Sequence, residues 1–238
     1  MTQLKIHNFS SPHCCQFDRS SVTEFYPGVH GDNRGYFFEV LKEQDNTNNL
    51  PEWYCGMSWI KQINRSSSSR YVIRGCHAQM GKSCQGKLVE AVNHPIYDII
   101  TDARPDSESF GVSHIFLLDP KIHNQLWVPR GFLHSVVFPD NEDECDNIIL
   151  QYFCDNKYDK DCEVGVNPSS VLPEIVGNFK TLFKYDPITT ELFGPLYDIF
   201  DNPEKITYSS KDICSEDYND FIKRVSTEYS RFGNLWYR

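Results

Sequence analysis

Residues 96–118 read IYDIITDARPDSESFGVSHIFLL. An apolar run from Ile96 to Thr101 and another from Val112 to Leu118 flank a turn-forming stretch at Pro105 to Ser109. Both runs combine Ile with an aromatic residue and are too short for an ordinary helix, so they predict two strands joined by a polar turn. The same rhythm continues outward. Toward the N-terminus it marks strands at Tyr36 to Leu41, Ser58 to Asn64 and Gly86 to Val92, and toward the C-terminus at Gln125 to Val128, His134 to Phe138 and Ile148 to Cys154. Eight such strands fit an all-β double-sheet jelly roll. Between them, Gly31 to Asn33, Asn93 to Pro95, Pro129 to Gly131 and the acidic stretch Pro139 to Asp146 carry turn chemistry. The serine run Ser66 to Ser69 reads as a flexible connector.

Past the strands the pattern changes. From Pro173 to Pro203 the alternation fades and prolines recur, which predicts an irregular strap over the core. Ser215 then offers an N-cap, and Tyr218, Phe221, Ile222, Val225 and Tyr229 follow at helical spacing. The expected organisation is a jelly-roll domain over residues 1–172, then a C-terminal extension over 173–238 that ends in an amphipathic helix from about Glu216 to Arg231.

The chain has 238 residues, 39% hydrophobic and 14% aromatic, enough for one substantial core. A net charge of -10 gives duplex nucleic acid or an anionic membrane no long-range pull, so any anionic ligand must meet a local Arg and Lys cluster. Nine cysteines, an odd number without CxxC spacing, suit a reducing compartment. With no apolar run of spanning length and no charged start followed by an apolar stretch and a cleavage site, neither anchoring nor secretion is expected, and the expected location is cytoplasmic.

Within SRYVIRGCHAQMGKSCQGKLV, residues 69–89, Arg74, His77 and Lys87 fall inside fourteen positions. A base, a fixed cation and an anion clamp are what is needed to remove a proton beside a ketone. His77 suits the base, being largely neutral at pH 7 with an ordinary pKa of about 6.5. Lys87 opens an apolar run and, turned inward, would hold an enolate oxygen. In a regular strand Arg74 and His77 would face opposite sides; a bulge at Gly75 would turn both toward one cavity.

Eight motifs, in order, resemble the dTDP-4-dehydrorhamnose 3,5-epimerase family over about Gly31 to Gly165: DNRGYFFE at Asp32 to Glu39, QINRS at Gln62 to Ser66, RGCHAQ at Arg74 to Gln79, QGKLV at Gln85 to Val89, DIITDAR at Asp98 to Arg104, SFG at Ser109 to Gly111, QLWVPRGFLH at Gln125 to His134 and YDKDCEVG at Tyr158 to Gly165. The resemblance implies a cupin-like double-stranded β-helix and a cofactor-independent epimerase of nucleoside-diphosphate 4-keto-6-deoxysugars. It implies His77 as base, Lys87 at the enolate and Tyr152 as the acid on the opposite face. It further places Arg34 and Arg74 at the diphosphate, Glu39, Gln62, Asn64 and Ser66 around the nucleotide, His134 near the sugar and Tyr158 against the nucleobase. A homodimer is expected, with Arg34 and Glu39 serving the neighbouring site. No metal is expected, because His77 is followed by Ala78 and Gln79 instead of a ligand set.

Two positions depart from the family pattern. Members usually carry an aspartate shortly after the glycine matching Gly165, paired with the base; here the run is VNPSSV, with no carboxylate between Val164 and Leu172. Asn167, Ser169 or Ser170 is left as the acceptor for the imidazole N–H. An aromatic residue expected four positions before Arg34 is His30, which leaves the base preference open. The alternatives are therefore an epimerase acting at one carbon or a keto-isomerase, and a weakened or inactive sugar-nucleotide-binding protein.

Overall fold

The computed structural model describes residues 22–41, 59–140 and 146–233. The stretch Pro139 to Asp146 and the start of the strand expected from Ser58 fall partly outside them. Twelve strands are described: β1 (Thr23–Phe25), β2 (Val29–Asp32), β3 (Gly35–Phe38), β4 (Gln62–Ser68), β5 (Ile73–Gln79), β6 (Lys87–Ala91), β7 (Ile96–Asp102), β8 (Ser113–Leu118), β9 (Gln125–Val128), β10 (Phe132–Val137), β11 (Ile148–Cys154) and β12 (Glu163–Gly165). They form two five-stranded antiparallel sheets, ordered β1-β9-β6-β11-β4 and β12-β5-β10-β7-β8, and a separate β2–β3 hairpin. The all-β jelly roll read from the strand rhythm is the observed architecture.

Both faces of β7 are covered, which explains its nearly continuous apolar run. Ile96 and Ile100 pack with Val89, Leu126, Val136 and Leu150 in the layer between the sheets. Tyr97 and Ile99 point the other way and pack with Val176, Phe193, Leu196, Phe221 and Val225. The Tyr97 hydroxyl donates to the Leu192 carbonyl at 2.7 Å, so the one polar atom of that buried ring is satisfied.

The partners on that outer face belong to helices α1 (Leu172–Leu182), α2 (Pro187–Asp201) and α4 (Tyr218–Phe232); a short helix α3 (Ser210–Ile213) precedes α4 in the chain. An irregular strap over 173–203 is thus corrected to two helices. The prolines misled because two of them occupy first turns, where a missing N–H costs nothing: Pro173 in α1 and Pro187 at the start of α2. Pro195 alone sits inside a helix. Asp186 caps α2, accepting from Ile188 N and from the Thr189 hydroxyl. α4 agrees with the helix read from its apolar stripe, but Asp217, not Ser215, caps it by accepting from Asn219 N at 2.9 Å.

The serine run is a strand, not a connector. Ser66, Ser67 and Ser68 end β4 and pair with Leu150, Ile149 and Ile148 of β11. β4 is an edge strand whose exposure alternates, with Ile63, Arg65 and Ser67 outward and Asn64, Ser66 and Ser68 inward. Small inward hydroxyls leave hollow space between the sheets, and the cavity lies there.

Candidate active site

The site begins with a backbone irregularity. β5 and β10 pair His77 with His134 and Arg74 with Val136, so three steps on β5 match two on β10. The extra residue is accommodated around Gly75, whose φ is +100°. A Cβ there would lie 2.3 Å from the His134 carbonyl oxygen, so only glycine fits. Arg74 and His77 consequently border one cavity of about 500 Å³, as the expected bulge requires.

Lys87, Tyr152, Ser66 and His134 border the same cavity. Lys87 enters from β6, and its Nζ lies 5.9 Å from the Tyr152 ring centroid. Among the described residues it has no ion-pair partner. Desolvation holds its pKa below that of an ordinary lysine, against the opposing pull of Cys154 and Asp98. Burial raises the Tyr152 phenol instead. His77 is three-quarters enclosed, and desolvation lowers its pKa although Asp212 and Glu163 oppose the shift. It is therefore a neutral imidazole at pH 7.

Carboxylates flank both imidazoles. Asp98 Oδ2 lies 2.7 Å from His134 Nε2, both side chains buried. Asp212 Oδ1, from α3, lies 2.7 Å from His77 Nε2, and Glu163 Oε1 lies 3.7 Å from His77 Nδ1. Glu163 Oε2 accepts from the Tyr158 hydroxyl at 2.9 Å and from the Lys211 ammonium. Burial pushes Glu163 up, but Lys211, Tyr158 and His77 outweigh it, and its pKa ends below the ordinary value. Asn167, Ser169 and Ser170 do not take the acceptor role at His77. Asn167 Oδ1 accepts from Ser169, and the Ser170 hydroxyl donates to Asn167 O and accepts from Tyr218 N, in a tight turn that precedes α1.

Other residues expected at the site stand apart from the cavity or at its rim. Asn64 pairs across the strands with Tyr152, accepts from Gln62 and donates to Cys154 Sγ. Gln62 Oε1 accepts from Tyr158 N, so these residues form a polar shelf beside the hollow. Arg34 and Glu39 are exposed on or just after the β2–β3 hairpin, and Arg34 forks onto Asp32. This chain's own cavity does not include them. Sequence reasoning gave no role to Asp98, Glu163 or Asp212. Asp98 and Glu163 lay inside quoted motifs, and an acidic residue within an otherwise apolar strand run was the available signal for Asp98. Asp212 carried no local signal. Among the described residues no cluster of three His, Cys, Asp or Glu could hold a metal ion, and no helix is long and apolar enough to cross a membrane.

Jelly roll and cavity together define a cupin-like protein. The family model for dTDP-4-dehydrorhamnose 3,5-epimerase matches residues 18–179, and the chain belongs to that family. It is 34% identical over 140 residues to dTDP-4-dehydrorhamnose 3,5-epimerase of Escherichia coli strain K12, covering 59% of this chain and 71% of that enzyme. The crystal structure of the Elizabethkingia anophelis enzyme superposes with a TM-score of 0.60 at 28% identity, covering 84% of this chain and 92% of that one. The Bacillus anthracis enzyme, solved with TDP and PPi bound, gives 0.59 at 25% identity, covering 85% and 97%.

Proposed function

We propose that this chain epimerises a nucleoside-diphosphate 4-keto-6-deoxysugar at C3, C5 or both, by proton abstraction and return without a cofactor. The observation that carries the reading is the convergence of His77, Lys87 and Tyr152 on one hollow between the sheets. A 4-keto group acidifies the hydrogens on both neighbouring carbons. His77, neutral at pH 7, takes one of them. The Lys87 ammonium, with no carboxylate paired to it among the described residues, meets the enolate oxygen where low dielectric strengthens the contact. Tyr152, protonated throughout the physiological range, returns a proton from the other face. Arg74 supplies local positive charge for a diphosphate on an otherwise acidic chain. The diphosphate-bearing ligand of the Bacillus anthracis relative fits that role.

The working form in this reading is a cytoplasmic homodimer. Its support is the β2–β3 hairpin, which leaves Val29, Tyr36 and Phe37 exposed beside Arg34. Such a surface suits a second copy of the chain, whose nucleotide Arg34 and Glu39 would then reach.

The test is incubation with dTDP-4-keto-6-deoxyglucose, and with its UDP and GDP counterparts, in deuterated water, following the ring protons by NMR. Deuterium at C3 and C5 with inversion supports the double epimerase, and deuterium at one carbon narrows the reaction to that position. No incorporation from any of the nucleotides rules the enzyme reading out.

A further inference from the structure

Asp212 lies beyond the residues that the family model matches, on a short helix of the C-terminal extension. Its side chain is 5% exposed, and its Oδ1 lies 2.7 Å from His77 Nε2. The contact is not aligned as a linear N–H···O bond, yet neither atom has another hydrogen-bond partner among the described residues. Local structure holds the carboxylate there: the Ser209 hydroxyl accepts from Asp212 N at 3.1 Å, and the neighbouring Lys211 is tied to Glu163 of β12. The chain meanwhile lacks any carboxylate between Val164 and Leu172, and the polar side chains of that stretch bond to one another and to α4.

We propose that Asp212 is the positioning residue of the catalytic base, a carboxylate supplied to His77 by the C-terminal extension instead of by the strand-end segment after Gly165. The inference rests on the epimerase reading for its effect on rate, though not for the contact itself. Asp212 fixes His77 as the Nε2–H tautomer, which leaves Nδ1 to receive the proton, and it stabilises the imidazolium that results. Glu163, 3.7 Å from Nδ1 and already holding Tyr158 and Lys211, adds negative field without occupying the Nδ1 lone pair. Lys211 and Lys87 face the ring with opposite effect. The extension is therefore part of the active site, and the family domain without it has an unsupported base.

The experiment uses the full chain. In the wild-type protein, labelled-histidine NMR is expected to show His77 as the Nε2–H tautomer; an Nδ1–H tautomer overturns the proposal whether or not any substrate is turned over. Asp212→Asn is expected to move the His77 titration to lower pH and to reduce kcat about 10²- to 10⁴-fold with KM little changed. Asp212→Glu is expected to restore the titration and part of the rate. An Asp212→Asn protein with wild-type titration and kcat overturns the proposal. Should Asp212→Asn fail to fold, the wild-type tautomer and Asp212→Glu decide the matter. If the wild-type protein incorporates no deuterium from any ketosugar, the epimerase reading fails while the His77 titration still tests the pairing.

Discussion

The Lys87 ammonium and the His77 imidazole owe their usefulness to a shared cause, partial removal from water. Desolvation lowers both pKa values, which keeps the histidine neutral and makes a charge on the lysine costly until an anion meets it. Replacing Lys87 with Met keeps the volume and removes the charge; kcat for deuterium exchange is expected to fall about 10²- to 10³-fold with the fold intact by circular dichroism. Tyr152→Phe separates the two proton transfers: exchange at the abstracted position persists with retained configuration, while inverted product falls by about 10²-fold or more. The acid limb of the exchange rate should lie below pH 6.5, since His77 takes its proton there later than a free imidazole does. The same shift acts on stability. Because the folded pKa is the lower one, the unfolded chain binds the proton first as pH drops through 6.5, so stability declines toward the folded pKa. Urea unfolding at a series of pH values checks this, and His77→Gln should flatten the slope. A slope unchanged in that variant would contradict it.

At the scale of elements, the bulge in β5 decides whether two side chains at an odd spacing share a face. Gly75→Ala places a methyl against the His134 carbonyl and forces a non-glycine residue to φ +100°, so β5 and β10 must separate or the bulge must collapse. The expected cost is about 1–3 kcal/mol from the backbone strain alone. It is read as a lower melting temperature together with lost exchange activity; wild-type values for both would show that the bulge tolerates a side chain. The glycine between Arg74 and Cys76 was enough to suggest this device. The C-terminal helices were harder to read. Recurring proline looked like irregular chain, and only the cap at Asp186 and the place of Pro187 in a first turn reveal α2. Serines of low strand propensity likewise concealed the end of β4, where pairing with β11 outweighs local preference.

For the whole molecule, the extension and the jelly roll share one apolar layer. Ile73, Ile99 and Leu117 from the sheet pack with Val176, Leu196, Phe221 and Val225 from the helices. Phe221 is fully buried in it, and Phe221→Ala is expected to destabilise by about 3–5 kcal/mol. The loss should be felt by the whole fold: fluorescence of Trp59 and Trp127, which pack in a different cluster, and helical ellipticity should move to lower urea together. Separate transitions would show that the helices unfold independently. The order of short apolar runs and turn residues was sufficient for the jelly roll, because strand periodicity and turn chemistry are local properties that survive in a one-dimensional string. That His77, Lys87 and Tyr152 would share one site was legible for a related reason, their motifs and spacing, and the structure brings all three to one cavity. The Asp212 carboxylate beside His77 was decided by tertiary structure alone. Asp212 is distant from His77 in sequence, and the contact exists because the segment carrying Thr207, Tyr208, Ser209, Lys211 and Asp212 comes back to line the cavity between the sheets. A charge partner across so long a loop leaves no periodic trace in the chain.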